Sequence, residues 1–506
     1  MTEQWSEGYI TGVPYTYGYY NELSPAWMRF CLLMRRFTPP PAQDYAYCEL
    51  GFGQGLSLNM HAAAGAGAFH GTDFTPEHAA FAANLAGKSG GACNIYDDSF
   101  EEFLERDLPA FDYIGMHGVW SWVSDDNRRH IVDFVKKNLK AGGVFYVSYN
   151  SMPGWGAAGP LGRLLALHER IAPHTSHAAR TRDALAFCDS LFEAGPAYLQ
   201  SATGLRERLE NLKKHSPDYI AHEYFNSNWD TMYFVDVADR LAQAKLRFAA
   251  SAVPSGNISG FGLTDRAREF LSGIEDTVMY RQMQDYFENT QFHKDLYVRG
   301  GVALTPQRQR ELFLRERFVL LRHPDDIAYT MNMGMGSITL DKDVYKPVVA
   351  ALAAEEFAPK PLSAIGEAGG LTRGLPDLLG AIANLITLGA VSPCQPEEVA
   401  RQNRSRTRAC NAALDEMTLA GHFFVSPVTG GGVSVSRLDQ LFLAAPLSEG
   451  GDAVKHALEK LARNGEKLLA EGRPVEDEQQ AARMMEETYA EFRDKRLPLL
   501  KALDIV

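Results

Sequence analysis

A glycine-rich turn preceded by an acidic residue is the sequence feature best suited to hold a small molecule. It reads Glu49-Leu-Gly51-Phe-Gly53-Gln-Gly55 and lies between a short apolar run and a predicted helix. Glycines let the backbone turn tightly and approach a ligand closely, and the helix N-terminus offers free N–H groups. The spacing differs from the G-x-G-x-x-G that cradles a pyrophosphate, which disfavours a nicotinamide-dependent oxidoreductase.

Two further acids follow the next two predicted strands. Asp73 comes 18 residues after Gly55, at a position where a carboxylate can accept both hydroxyls of a ribose. Asp98 and Ser99 follow the third strand, where the carboxylate can accept an adenine amino group and the Ser99 N–H can bond a ring nitrogen. Helix capping by Asp73 and a first-turn role for Asp98 remain as alternatives, although Thr75 suits the cap position better.

Three acids at three successive strand ends indicate a ligand that carries positive charge. S-adenosylmethionine has an ammonium and a sulfonium group but no phosphate, so Glu49 suits it. Open α/β sheets bind ligands at the carboxyl ends of their strands. The sequence therefore predicts a nucleoside site across the ends of the first three strands.

Polar and aromatic residues follow the fourth and fifth predicted strands. His117 is expected to contact the cofactor or accept a proton, and Trp120 to stack near a cation. Trp122 is expected in the core. Tyr149 and Asn150 are expected to face the substrate. Backbone-bonded loop residues and plain core packing are the alternatives for these side chains.

His222-Glu223 resembles the start of a zinc-binding H-E-x-x-H motif, but position 226 is Asn. The sequence therefore predicts no metal site. Glu223 and Tyr224 are expected to pack within a helix pair, with the substrate side as the alternative. The P-loop motif G-x-x-x-x-G-K-[ST] is absent from the sequence, which leaves the nucleotide-hydrolysing class without support.

Strands and helices alternate from Tyr45 to Asn150 and again after about residue 224. This rhythm predicts an α/β fold, a doubly wound sheet of about seven strands with helices on both faces. A helical insertion of about 156–224 interrupts it, and we predict a dimer surface or simple capping for its apolar stripes. The predicted strands of the sheet are Tyr45–Leu50, Ala68–Thr72, Cys93–Tyr96, Phe111–His117, Val144–Ser148, Leu246–Ala252 and Phe292–Arg299.

Four segments are predicted along the chain. Residues 1–40 form an aromatic arm or lid, and residues 41–303 form the nucleoside-binding core with its insertion. Residues 304–400 form an α+β domain for which a winged-helix shape is considered, and residues 401–506 a mostly helical domain.

Composition limits the partners. Among 506 residues, 63 acidic side chains against 50 basic ones give a net charge of −13, which disfavours duplex nucleic acid. Six cysteines without a C-x-x-C pair indicate a reducing compartment. Neither a signal peptide nor a membrane span is expected, so the protein is predicted to be soluble and cytoplasmic.

The strand-end motifs resemble those of class I S-adenosylmethionine-dependent methyltransferases over roughly residues 45–150. Further segments resemble a bacterial subgroup with a methyltransferase regulatory domain, which includes rickettsial protein-lysine methyltransferases of outer-membrane proteins. The segments are Val13-Pro14-Tyr15, His117 to Val123, Tyr149 to Trp155, His222 to Tyr224 and Phe292 to Arg299. The resemblance implies a homodimer and a protein substrate that presents a lysine.

The expected function is S-adenosylmethionine-dependent methyl transfer (EC 2.1.1) to protein lysine, with S-adenosylhomocysteine as product. A small-molecule methyltransferase and a non-catalytic cofactor-binding regulator are the alternatives. His117 and Tyr149 are the expected catalytic residues, and the expected substrate contacts are Trp120, Asn150 and Tyr224. The expected cofactor contacts are Tyr15, Glu49, Gly51, Phe52, Gly53, Gly55, Asp73, Phe74, Asp98, Ser99 and His117.

Overall fold

The structure is a computed structural model, and a few short segments of the chain fall outside its description. One of the expected cofactor contacts, Tyr15, lies outside the described residues. The described residues are 9–10, 17–90, 93–172, 176–202, 204–334, 336–368, 374–417, 422–445, 450–470 and 473–506.

A seven-stranded sheet forms the centre of the N-terminal part, as predicted. The strands are β1 Tyr45–Leu50, β2 Gly67–Thr72, β3 Cys93–Tyr96, β4 Phe111–Met116, β5 Leu139–Asn150, β6 Leu246–Ser251 and β7 Phe292–Arg299. Their order is β3-β2-β1-β4-β5-β7-β6, and β7 is antiparallel to both neighbours. The order reverses between β1 and β4, which is where such sheets bind ligands. The doubly wound α/β fold is therefore confirmed.

Helices cover both faces of this sheet. They are α1 Pro25–Met34, α2 Leu56–Ala64, α3 Pro76–Lys88, α4 Phe100–Glu105, α5 Asp125–Asn138, α6 Gly159–Ile171, α7 His177–Glu193, α8 Ala197–Ser201, α9 Leu205–Leu212, α10 Pro217–Tyr224, α11 Phe234–Ala242, α12 Asp265–Ser272 and α13 Thr277–Glu288. Helices α12 and α13 are separate, because Asp276 caps a new start at α13. Strand β5 extends beyond the predicted Val144–Ser148 at both ends.

Helices α6 to α10 form a separate apolar cluster beside the sheet. Its buried members include Trp155, Leu165, Cys188, Leu209 and Tyr224. The segment predicted as an insertion is thus helical, and its own side chains fill its core. Because α9 and α10 also border the ends of the sheet strands, they supply a second wall to the space there.

The C-terminal 200 residues are mostly helical in their last part, where two short hairpins add strands. The elements are α14 Pro306–Arg315, β8 Arg317–Leu320, β9 Thr330–Met333, β10 Gly336–Thr339, α15 Lys342–Ala353, β11 Lys360–Pro361, α16 Leu362–Ala368, α17 Leu375–Thr387, β12 Val391–Pro393, α18 Glu397–Glu416, β13 Phe423–Ser426, β14 Gly431–Ser434, α19 Arg437–Leu443, α20 Gly450–Arg463, β15 Leu469–Ala470, β16 Arg473–Pro474, α21 Glu478–Glu491 and α22 Leu497–Ala502. Hairpins β13–β14 and β15–β16 lie in the region predicted as helical.

Helix α18 and the residue Gln395, which precedes it, contact the C-terminal end of α2 through side-chain donors. The Asn403 Nδ2 group donates to the carbonyl oxygens of Ala64 (2.7 Å) and Gly65 (3.0 Å). Gln395 Nε2 donates to the Ala64 oxygen at 2.9 Å, and Arg406 donates to the Gly65 oxygen at 2.9 Å. Carbonyls at a helix end lack partners within the helix, so the C-terminal part satisfies the end of α2.

No helix in the described part of the chain is both long enough and apolar enough to cross a bilayer.

Candidate functional site

A cavity of about 730 Å³ opens at the carboxyl ends of the central strands. Most of the expected site residues line it. These are Glu49, Gly51, Phe52, Gly53, Asp73, Phe74, Asp98, Ser99, His117, Asn150 and Tyr224. We call the side formed by the loops after β1, β2 and β3 the strand-end wall, and the side formed by Trp155, α9 and α10 the helical wall.

The glycine loop after β1 has a backbone that only glycine adopts easily. Gly51, Gly53 and Gly55 have φ angles of +67°, +59° and +68°, a region that disfavours side chains. A β-carbon on Gly51 would lie 2.6 Å from Val119 Cγ2. Gly55 does not line the cavity; it begins α2 and a β-carbon there would lie 2.6 Å from Ala82 Cβ. Its role is close packing of α2 on α3.

Glu49 places a buried carboxyl group at the base of the strand-end wall. It is 3 % exposed, and Tyr47 Oη donates to its Oε2 at 3.2 Å. Burial raises the pKa of Glu49 to about 8, and nearby Asp73 adds to the rise. A cationic ligand would reverse this shift, because it stabilises the carboxylate form.

The Asp73 carboxylate organises the loop around it. It accepts hydrogen bonds from Gly53 N (2.8 Å), Thr75 N (3.1 Å) and His78 Nδ1 (3.0 Å). Thr75 occupies the N-cap position of α3 as expected, but its side chain makes no capping bond. Asp73 therefore combines a loop-fixing role with a position on the cavity.

Asp98 and Ser99 lie where expected but are engaged with their own helix. Both Asp98 oxygens accept from the Arg106 guanidinium. The Ser99 N–H, expected to bond a ring nitrogen, donates to Glu102 Oε2 at 2.9 Å in a capping box. The acid is thus held in a fixed orientation, while the Ser99 N–H is already used.

His117 lines the cavity and lies between two tyrosines. Its ring stacks on Tyr20 with centroids 3.8 Å apart, and its Nδ1 lies 2.7 Å from Tyr146 Oη. Burial lowers the pKa of His117 to about 4, which the nearby Glu22 partly opposes. The ring is therefore neutral near pH 7 and is a weak base.

The two tryptophans after β4 have exchanged their expected places. Trp120 is fully buried, donates Nε1–H to Met232 Sδ at 3.2 Å, and accepts from buried Arg128. Trp122 lines the cavity. The short helical turn Trp120–Trp122 explains the exchange, because residues two apart in it face different sides.

Tyr149, expected to be catalytic, lies outside the cavity lining. It is fully buried, and its Oη donates to Asp295 Oδ2 at 3.1 Å. Asp295 also contacts His293 Nδ1 at 3.0 Å, and His293 Nε2 lies 3.0 Å from Asp285. Its neighbour Asn150 faces the opposite side of the strand and reaches the cavity, since side chains alternate along a strand.

The helical wall contains the site residues that the motifs did not identify. Trp155, Arg208, Tyr219 and Glu223 line the cavity together with the expected Tyr224. The Arg208 guanidinium carbon lies 4.0 Å from the centre of the Trp155 ring, in a cation–π contact. The His222-Glu223-Tyr224 segment was the available signal, although helix packing was favoured for Glu223.

The N-terminal segment bridges the two walls. The Tyr9 ring lies 5.7 Å from that of Phe74 on one side and 5.8 Å from that of His222 on the other. The Ile10 N–H donates to Asn226 Oδ1 at 3.0 Å. Tyr9 itself lines the cavity, and the lid role of residues 1–40 stays a prediction.

Comparison with known proteins connects this architecture to a family. Residues 216–299 match the family described as "Predicted methyltransferase regulatory domain". The chain is 35% identical over 508 residues to the uncharacterized protein sll1526 of Synechocystis sp., with 99% of both chains covered. It is 26% identical over 306 residues to the uncharacterized protein RP789 of Rickettsia prowazekii, covering 57% of this chain and 53% of that one.

A solved structure extends the likeness to the whole fold. PKMT2 from Rickettsia typhi, in complex with AdoHcy, superposes with a TM-score of 0.69 at 18% identity, covering 97% of this chain and 99% of that one. This chain and PKMT2 therefore share one fold, which includes the central sheet, the additional helices and the C-terminal regions. Together with the close full-length relative, this shows that the chain belongs to the family of methyltransferase-fold proteins that carry the methyltransferase regulatory domain.

Proposed function

We propose that this protein is an S-adenosylmethionine-dependent methyltransferase that modifies lysine side chains of proteins. The observation that carries the proposal is the acidic cavity at the strand ends. Five carboxyl groups line it, those of Glu49, Asp73, Asp98, Glu207 and Glu223, against one guanidinium among the described residues, that of Arg208. Such a cavity favours positively charged occupants.

The residues present fit S-adenosylmethionine. Buried donors at the cavity, Asn150 Nδ2, Trp122 Nε1 and Trp155 Nε1, have no hydrogen-bond partner among the described residues. Buried polar groups are normally satisfied, so unpartnered donors on a cavity wall indicate a polar ligand. PKMT2 of Rickettsia typhi, which shares this fold, was solved with AdoHcy.

Each strand-end residue has a proposed partner. Glu49 would face the ammonium group, which returns its carboxyl to the charged form. Asp73 would accept the ribose hydroxyls through the lone pairs that its three donors leave, and Asp98, held by Arg106, would accept the adenine amino group. Metal ligation is not part of this scheme, since the described residues contain no group of three or more His, Cys, Asp or Glu side chains suited to a metal ion.

When bound, S-adenosylmethionine supplies a methyl group on a positively charged sulfur. The protein's contribution is then to align the nucleophile with the carbon and sulfur and to exclude water. His117 is held by Tyr20 and Tyr146 as a neutral ring that lines the cavity, where it would position the reactants. Its pKa of about 4 makes it a poor proton acceptor.

A lysine nucleophile must lose a proton before it reacts. From a reference pKa near 10.4, neutralising it at pH 7.4 costs about 4 kcal/mol. The aromatic rings of Trp122, Trp155 and Tyr224 would desolvate the ammonium group and so reduce this cost. The likeness to rickettsial protein-lysine methyltransferases supports a protein substrate. The same resemblance implies a homodimer, which we also propose.

Transfer of a tritiated methyl group into cell lysate tests the proposal. The expected result is label in protein that yields methyllysine on acid hydrolysis. Label confined to small molecules would instead show a metabolite methyltransferase. Binding of S-adenosylhomocysteine in calorimetry without any transfer would show a cofactor-binding regulator, and neither binding nor transfer would contradict the cavity assignment.

A further inference from the structure

Glu223 is an acidic group on the helical wall that the strand-end residues do not use. It lies on α10, is half-buried and lines the cavity. Among the described residues, none forms a hydrogen bond or an ion pair with its carboxylate. The other buried acids of the cavity differ in this respect, since Glu49 accepts from Tyr47 and Asp98 from Arg106.

The surroundings of Glu223 suit an alkylammonium group. Tyr219 and Tyr224 flank it on the same helix, and Trp155 lines the cavity nearby. The guanidinium of Arg208 on α9 already lies over the Trp155 ring, and it donates to Gln291 Oε1 at 3.3 Å. This wall therefore accepts a positive charge over an aromatic face, beside a carboxylate that has no fixed partner.

The charged groups that face Glu223 come from both helices of this wall. On α10 they are the phenols of Tyr219 and Tyr224, and on α9 the guanidinium of Arg208. Glu207 on α9 and His215 after it also line the cavity. Arg208 is the cation whose charge acts on the carboxylate.

We propose that Glu223 receives the ε-ammonium group of the substrate lysine and takes its proton before methyl transfer. This assignment rests on the proposed function. The two residues expected to be catalytic do not suit this role: Tyr149 is buried away from the cavity, and His117 is held between Tyr20 and Tyr146.

The step balances as a proton transfer followed by a displacement. One N–H bond of the ammonium group breaks and an O–H bond forms on Glu223, which leaves a neutral amine and a neutral carboxylic acid. The amine lone pair then forms the bond to the methyl carbon as the carbon–sulfur bond breaks. The electron pair of that bond stays on sulfur, the nitrogen carries the positive charge, and Glu223 returns its proton to solvent.

The titration of Glu223 supports this role. Burial raises the pKa of Glu223 to about 7, and Arg208 opposes the rise. A carboxylate with this pKa is a better match for an ammonium proton than an ordinary glutamate, and it is half ionised near neutral pH.

The first test measures binding without turnover. Protein saturated with S-adenosylhomocysteine is titrated with Nα-acetyl-lysine amide and, separately, with Nα-acetyl-norleucine amide, and tryptophan fluorescence is followed. We expect Glu223→Gln to weaken binding of the lysine probe at least tenfold and to leave binding of the norleucine probe unchanged. Asp218→Asn, an exposed acid on the same helix, is the matched control and should bind both probes as the unaltered protein does.

The second test measures the pH profile of methyl transfer into lysate protein. The unaltered enzyme should gain rate up to a plateau with a midpoint near pH 7. Glu223→Gln should lose about a hundredfold in kcat at pH 7.5 and then gain about tenfold per pH unit toward the lysine pKa near 10.4. A structural defect would not restore activity at high pH.

The outcomes separate this inference from the function on which it rests. An unaltered plateau and equal lysine binding in Glu223→Gln would overturn the role of Glu223 while methyl transfer stands. Failure of the unaltered protein to bind S-adenosylhomocysteine would overturn both. Weakened S-adenosylhomocysteine binding in Glu223→Gln, beyond about twofold, would place Glu223 at the cofactor instead.

Discussion

The two walls of the cavity hold their polar groups in different ways. On the strand-end wall the carboxylates are fixed: Asp73 accepts from three donors, Asp98 from Arg106 and Glu49 from Tyr47. On the helical wall the carboxylate of Glu223 has no fixed partner within the described chain, and Trp155 Nε1 is buried without an acceptor there.

This difference suggests a division of work between the walls. Groups that are already fixed need little reorganisation when a ligand of constant shape binds. Such groups suit a cofactor, whose shape does not vary. Groups on helices that pack mainly against one another can adjust to a variable partner, which suits a side chain presented by a protein. Variants on the two walls should therefore affect different ligands.

The largest expected effect comes from Gly53→Asp on the strand-end wall. The φ of Gly53 is +59°, and its N–H donates to Asp73 Oδ2, so a new carboxylate would be strained and would repel Asp73. Calorimetry should show S-adenosylhomocysteine binding weakened at least a hundredfold, or about 2.7 kcal/mol. Gly87→Asp, at an exposed site with open space around it, is the control; equal losses in both variants would contradict the assignment.

A smaller effect is expected for Asp73→Asn, which keeps the shape and removes the charge. Loss of one hydrogen bond to a charged group should weaken S-adenosylhomocysteine about tenfold, or about 1.4 kcal/mol. Glu77→Gln, exposed in the first turn of α3, should bind normally. The contrast between the walls breaks down if Glu223→Gln weakens this ligand as much as Asp73→Asn does.

The smallest expected effect is the release of a proton when S-adenosylhomocysteine binds. Because the pKa of Glu49 is about 8 in the free protein, the group is mostly protonated at pH 7, and a bound ammonium would ionise it. Calorimetry in phosphate and in Tris buffer should report release of up to about one proton at pH 7, falling toward zero by pH 9. Glu49→Gln should release none; equal release in this variant would assign the proton to another group.

The same shift sets the sign of the stability change with pH. The folded pKa of Glu49 lies above the ordinary value of 4.5, so the unfolded chain ionises first as the pH rises. The free protein therefore loses stability between about pH 4.5 and 8 through this group, and Glu49→Gln should flatten that part of the denaturation profile.

Prediction from sequence succeeded for the residues whose location follows from the local pattern of strands and loops. Glu49, Gly51, Asp73 and Asp98 each lie within two residues of the end of a strand. A parallel sheet brings the ends of its strands to one edge whatever the rest of the chain does. Their cofactor contacts remain predictions, but their shared location follows from local rules. The seven strands could be predicted for the same reason.

Prediction failed where the side on which a residue lies depends on its exact position in a short element, or on a contact with a distant part of the chain. Trp120 and Trp122 exchanged roles because a short helical turn, not visible as a pattern, rotates one of them inward. Tyr149 and Asn150 are adjacent on a strand, so only one can face the cavity. Arg208 on α9 meets Trp155, which lies in the turns before α6, across 53 residues of chain. Periodicity along the chain contains no signal for that pairing.

The amide contacts from α18 to the end of α2 limit how this protein can be divided. A fragment that stopped near residue 303 would leave the Ala64 and Gly65 carbonyls without the donors that Asn403 and Gln395 provide. The glycine loop sits at the other end of that same helix. Transplanting or shortening the N-terminal half alone would therefore disturb the geometry of the glycine loop, so recombination between relatives should exchange both halves together.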